Sequence, residues 1–305
     1  MQNLGQQVNG FAGTASADIR FVPAWDLART TTNPVVVAVV DTGTDYTHPD
    51  LTNNMWINPG EVAGNGLDDD GDGYMDDVYG YNFADNLPYP SDSGIHGTHV
   101  AGTIAAIGNN QLGVIGVNYQ AKVMALRVSS DGNSISTAAE IEALEYAVMM
   151  KGKGVNLVAI NASYGGGGYT ESEQDAIQAV GDAGIIFCAA AGNDASDNDT
   201  TEFYPANYRL TNMIVIAASD QNDALASFSD YGANTVDLAA PGVNILSLSP
   251  VSQPGKTTIV QQGSTTFEAS ELTYSEARLA SPPRLIIVAL AILRIFPQKF
   301  KATSQ

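Results

Sequence analysis

Cysteine is almost missing from this chain, and the single example, Cys188, excludes any disulfide within it. Cys188 lies in the apolar run Gly184–Ala191, where it reads as a small buried residue. Basic residues are scarce too: 13 Lys and Arg face 33 Asp and Glu, a net charge of −20. That balance excludes nucleic acid and anionic membrane surfaces as partners, and fits a protein that binds cations. Long hydrophobic runs are missing. The longest, Leu285–Leu293, is too short to cross a bilayer and sits between Arg284 and Arg294. Residues Met1–Gln7 show neither the basic nor the apolar region of a signal peptide. The chain is therefore expected either to stay inside the cell or to be an incomplete copy of an exported product.

What is present is a recurring pattern of buried strands. Pro34–Asp41 is a nearly continuous β-branched apolar run, suited to a strand covered on both faces. Similar runs occur at Ala121–Val128, Val155–Ala162, Gly184–Ala190 and Met213–Ala218. Helical periodicity falls between them, at His99–Ile107, Ser136–Met150 and Glu171–Ala183. Alternation of this kind predicts an α/β fold, a doubly wound and mostly parallel sheet with helices on both faces.

Asp41 ends the first of these strands, where open α/β sheets place their sites. By itself it reads equally well as a turn aspartate. The second element is His96-Gly-Thr-His-Val-Ala-Gly, in which His96 is suited to proton transfer and His99 to packing. Val39-Val-Asp41-Thr-Gly followed by this histidine segment resembles the subtilase family of serine endopeptidases. Ala189-Ala-Ala-Gly-Asn193-Asp is similar to that family's oxyanion segment. The resemblance implies a subtilisin-like fold, with Asp41 orienting the imidazole, His96 as base and acid, and Asn193 as oxyanion donor. It also implies an extended peptide or protein substrate. Ser163, Tyr164 and Gly165, with Ala191 and Gly192, would border that substrate. Secretion is expected on the same ground, whereas the sequence does not give the oligomeric state.

Between acid and base runs the acidic loop Asp68–Asp77. Asp68, Asp70, Asp72, the Tyr74 carbonyl and Asp76 follow the first nine positions of an EF-hand loop, with Gly73 at its turn. The twelfth position is Tyr79, so Asp77 is the candidate replacement ligand. The loop is read as a structural calcium site, against the alternative of a solvated acidic turn.

The resemblance starts near Val22 and runs to about Ser249, and the nucleophile Ser is absent. No Gly-Thr-Ser-Met-Ala-type segment occurs; Gly263-Ser264-Thr265 lacks the small-residue helix that should follow it. Thr257–Ser275 instead resembles the opening strands of a protease-associated domain. All acidic residues lie at or before Glu276, and five of the basic ones lie after it. The expected organisation is an extension at 1–21, a partial catalytic domain at 22–250, the start of an inserted domain at 251–276 and an aberrant tail at 277–305. A reading-frame change or assembly error near Glu276–Pro283 would account for the break. The polypeptide is expected to be inactive and poorly folded, incomplete at its C-terminal end. A pseudoenzyme that binds peptides and a calcium-dependent structural or adhesion domain stand as alternatives. A nucleotide-binding protein is disfavoured, because Asp41-Thr-Gly is not a phosphate-binding loop.

Overall fold

The computed structural model describes residues 4–5, 7–8, 11–19 and 34–251, and the backbone of 257–261 and 265–269. Trp25, Ser264 and the expected tail 277–305 lie outside these residues, so the division into domains is not addressed by them. A two-stranded ribbon pairs Gln7–Val8 with Phe11–Ala12.

The main sheet has seven strands: β1 (Val36–Asp41), β2 (Gly80–Asn82), β3 (Lys122–Arg127), β4 (Leu157–Ala162), β5 (Ile186–Ala190), β6 (Met213–Ser219) and β7 (Leu238–Pro241). Their order across the sheet is β2-β3-β1-β4-β5-β6-β7, and every pairing is parallel. Five of these strands are the runs read from sequence, trimmed by one or two residues at five of their ten ends and extended by one residue at the end of β6. Two of the seven, β2 and β7, are too short to show a run. A further strand, β8 (Leu246–Ser249), pairs antiparallel with β9 (Thr257–Gln261), which pairs with β10 (Thr265–Ala269).

Because side chains alternate along a strand, β1 serves two cores. Val36, Ala38 and Val40 pack with helices α2 (Thr137–Gly152) and α3 (Glu171–Asp182). Val37 and Val39 pack against α1 (His96–Ala105) and Leu248 on the opposite face. This two-sided burial is why β1 reads as continuous rather than alternating apolar sequence. Ser136 caps α2, its hydroxyl accepting the Ala139 N–H at 3.4 Å. Cys188 is fully buried, and burial pushes its thiol pKa up to about 12, so it is a packing residue.

Helix α1 begins three residues earlier than its periodicity predicts. No residue immediately before His96 caps it through its side chain. The caps come from elsewhere: Thr42 Oγ1 accepts the Gly97 N–H at 3.0 Å and Asp92 Oδ2 accepts the Thr98 N–H at 2.9 Å. His96 therefore stands in the first helical turn, and that difference matters for the site. Gly102 lets the same helix lie close on β8, where a Cβ would meet Leu248 Cγ at 2.6 Å.

Candidate active site

The carboxyl ends of β1, β4 and β5 deliver the candidate residues to one end of the sheet. The strand order reverses around β1, which has β3 on one side and β4 on the other. Crevices at such a reversal are where open α/β sheets hold ligands.

Asp41 is buried, and its Oδ1 takes hydrogen bonds from the Thr42 N–H at 2.7 Å and from His96 Nδ1 at 2.6 Å. That length suits a charge-assisted contact. Burial alone would lower the His96 pKa. The charge and hydrogen bond of Asp41 override it, Asp92 adds in the same direction, and the net result is a raised pKa. With Nδ1 committed to Asp41, Nε2 is the nitrogen left to exchange a proton with a reacting group. The side chain of His96 is 20% exposed against 1% for Asp41, so the imidazole reaches solvent and the carboxylate does not.

Asn193 is half-buried in the turn that follows β5. Asp230 shapes that turn: its Oδ1 accepts the N–H groups of Asp194 at 2.7 Å and Ser196 at 2.9 Å, and its own N–H bonds the Gly192 carbonyl. Gly192 has φ +123°, and a Cβ there would lie 1.9 Å from Asp230 Oδ2. Only glycine fits this position. Ala191 is buried, its N–H bonded to the Ile216 carbonyl and its carbonyl to Asn198 Nδ2 at 2.7 Å. Asp230 is a residue that sequence reasoning missed, since its bonds to Asp194 and Ser196 span 36 and 34 positions of unrelated chain.

The segment after β4 starts with buried Ser163, whose Oγ accepts Asn161 Nδ2 at 2.9 Å. Tyr164 reaches back to α2, its hydroxyl donating to Glu140 at 2.8 Å. Gly165 to Gly168 are exposed, and the Gly166 N–H bonds the Tyr204 carbonyl at 3.0 Å. Gly165 packs so closely on Phe203 that a Cβ would lie 2.3 Å from the ring. Gly167 bridges the same Tyr204 in antiparallel register.

The acidic loop does not wrap a single centre, as its alternation predicts. Asp68 and Asp70 come together with Glu61, their carboxylate oxygens within 4.8 Å of one another. The other carboxylates are committed elsewhere. Asp76 accepts the N–H groups of Gly64, Asn65 and Gly66. Asp72 pairs with Lys153 at 3.1 Å, and Lys153 also meets Asp70 at 2.7 Å. Asp77 is fully buried, bonded by Tyr146 Oη and by Asn58 Nδ2. Burial, with the charges of Asp72 and Glu61, pushes Asp77 up to about 6 against those two hydrogen bonds. Tyr74 belongs to an aromatic cluster with Tyr81, Phe83 and Tyr146. The alternation signals acidic side chains but not which backbone amides compete for them, and Glu61 lies too far upstream for a loop pattern to include it.

Among the described residues no helix is long and apolar enough to cross a membrane. Residues 32–276 match the family model described as the subtilase family, so the match ends where the acidic residues end. The chain is 38% identical over 225 residues to the thermophilic serine proteinase of Bacillus sp. (strain AK1), covering 73% of this chain and 47% of that protein. It is 35% identical over 229 residues to thermitase of Thermoactinomyces vulgaris, covering 75% and 70%. Against the extracellular protease of Xanthomonas campestris pv. campestris it is 37% identical over 296 residues, covering 91% and 47%. The chain thus spans about half the length of the first and third of these relatives. A solved structure of a cold-adapted subtilisin-like serine proteinase superposes with a TM-score of 0.54 at 28% identity, covering 70% of this chain and 65% of that one.

Proposed function

Because the chain belongs to the subtilase family, we propose that it carries the proton-handling and oxyanion parts of an endopeptidase site and lacks the attacking serine. The observation that carries this reading is the 2.6 Å contact of Asp41 Oδ1 with His96 Nδ1 at the carboxyl end of the central strand. In the proposed chemistry Asp41 fixes the imidazole and balances its charge, while His96 Nε2 takes a proton from the nucleophile and returns it to the leaving amine. Asn193 donates to the oxyanion, a contribution of about 2.7–4 kcal/mol in enzymes of this kind. An extended peptide pairs along Ser163–Gly165 and against Ala191–Gly192. Without an attacking oxygen these groups cannot form an acyl-enzyme. The 305-residue polypeptide is therefore expected to leave fluorogenic peptides uncleaved. Hydrolysis that phenylmethylsulfonyl fluoride abolishes would show that a serine elsewhere in the chain serves as nucleophile.

We further propose a structural calcium ion at the acidic loop. Glu61, Asp68 and Asp70 supply hard oxygen donors, the type calcium prefers. Lys153 competes for Asp70 and would have to swing away. Millimolar calcium is expected to raise the melting temperature by several degrees, and Glu61→Gln with Asp70→Asn to remove most of that gain. An unchanged melting temperature would leave the loop as an acidic turn stapled by Lys153. Export from the cell is proposed from the name of the Xanthomonas relative, an extracellular protease.

A further inference from the structure

Asp92 lies four residues before His96, on the loop leading into α1, and no motif draws attention to it. Its carboxylate is half-buried and accepts four hydrogen bonds, two on each oxygen. Oδ1 receives Thr42 Oγ1 at 2.7 Å and the Gly94 N–H at 2.9 Å. Oδ2 receives the Thr98 N–H at 2.9 Å and Thr98 Oγ1 at 2.5 Å.

The direction of both hydroxyl contacts is fixed by what lies behind them. Thr42 Oγ1 already accepts the Gly97 N–H at 3.0 Å, and Thr98 Oγ1 already accepts the Asp45 N–H at 2.9 Å. Each hydroxyl proton is thus directed to Asp92. Four donors favour the ionised, acceptor-only form, although burial outweighs them and raises the Asp92 pKa above the ordinary carboxylate value. It stands at the N-terminus of α1, the end of a helix that favours negative charge.

The geometry makes this one connected clamp. Thr42 is the residue after Asp41, and its own N–H bonds the Asp41 carboxylate. Gly97 and Thr98 are the residues after His96. Asp92 therefore joins the backbone beside the acid to the backbone beside the base. It also puts a second negative charge near the imidazole.

We propose that Asp92 is a positioning residue for the Asp41–His96 pair, setting the distance between them through Thr42 and the first turn of α1 and biasing His96 toward its charged form. This deepens the proposed proton-handling role of that pair and rests on it. The charged groups that act on the ring are Asp41 from β1 and Asp92 from the loop before α1, and both act in the same direction.

The chain contains three histidines, so the imidazole of His96 can be followed by nitrogen-labelled NMR in the 305-residue protein without any substrate. Asp92→Asn is expected to lower the His96 titration midpoint by about half a pH unit to one unit, and Asp41→Asn by more. Thr42→Val keeps the Asp92 charge but cuts the clamp. It is expected to leave the midpoint nearly in place, while the Nδ1 proton shared with Asp41 exchanges with water several-fold faster.

A His96 midpoint unmoved in Asp92→Asn, with Asp41→Asn shifting it, would overturn the electrostatic role. Native-like proton exchange in Thr42→Val would overturn the clamp, and that measurement stands even if Asp92→Asn does not fold. A midpoint unmoved by Asp41→Asn would instead remove the pairing of Asp41 with His96 on which both rest.

Discussion

Gly97→Ala is expected to destabilise the protein by about 3 kcal/mol or more, measured as a lowered urea midpoint with an unchanged slope. Helix propensity alone predicts the opposite sign, a gain of up to about 1 kcal/mol for alanine over glycine inside a helix. The packing effect is the larger one here. A Cβ at Gly97 would sit 1.9 Å from the Gly43 carbonyl oxygen and 3.1 Å from Asp41 Cβ. The first of these is backbone, which cannot rotate away as a side chain would. Relief requires α1 to move off β1, and that motion lengthens the contact between His96 and Asp41. The His96 titration midpoint should therefore fall along with stability. Gly152→Ala at the end of α2, where a Cβ meets nothing within 4 Å, is the matched control. It is expected to be neutral or stabilising by less than about 1 kcal/mol.

The second large effect concerns two buried carboxylates with tyrosine partners. Glu140 in the first turn of α2 is buried and bonded by Tyr164 Oη. Glu173 in the first turn of α3 is buried and bonded by Tyr208 Oη at 2.7 Å. Burial first, then the charge of Glu173, pushes Glu140 up to about 8, against the hydrogen bond from Tyr164. An acid raised on folding contributes stability that is complete below its unfolded pKa, about 4.3, and is lost as pH rises through the folded value. The native chain should thus lose on the order of 3–5 kcal/mol through this group between about pH 4 and 8. Asp77, raised to about 6, contributes the same sign over the lower part of that window. Glu140→Gln keeps a neutral acceptor for Tyr164 at every pH. Its stability should fall below pH 6, as Asp77 dictates, and then flatten, leaving it more stable than the native chain at pH 9. Urea unfolding at pH 5, 7 and 9 checks this, and parallel curves for the two proteins would refute it.

The sheet was legible in the sequence for a physical reason, and the pairing of Asp41 with His96 through the resemblance of their motifs to the subtilase family. A strand buried on both faces must be apolar throughout, so Val36–Val40 marks the centre of the sheet and Asp41 its end. Glycines at 97 and 102 mark a helix pressed close to other backbone. The supporting residues were not legible. Asp92, Thr42 and Thr98 come from three separate segments, and each is an ordinary loop or helix residue until folding joins them. Asp230 is likewise silent until it meets the turn after β5. In the acidic loop the pattern of carboxylates was visible, but the amides of Gly64–Gly66 and the Lys153 ammonium decide where they point. Glu140 shows the limit most plainly. In sequence it is one more acidic residue on an amphipathic helix, and only its burial beneath Tyr164 gives it a distinct chemistry.

The all-parallel order of the sheet also has a consequence for how the molecule assembles. Parallel neighbours cannot be joined by a tight hairpin, so β1 has no partner close to it in the chain. Its neighbours are Lys122–Arg127 and Leu157–Ala162, and each must arrive across a long closed loop. Asp41 itself meets His96 across 55 positions, so the site as well as the sheet is built from contacts of long sequence separation, the kind that slow folding.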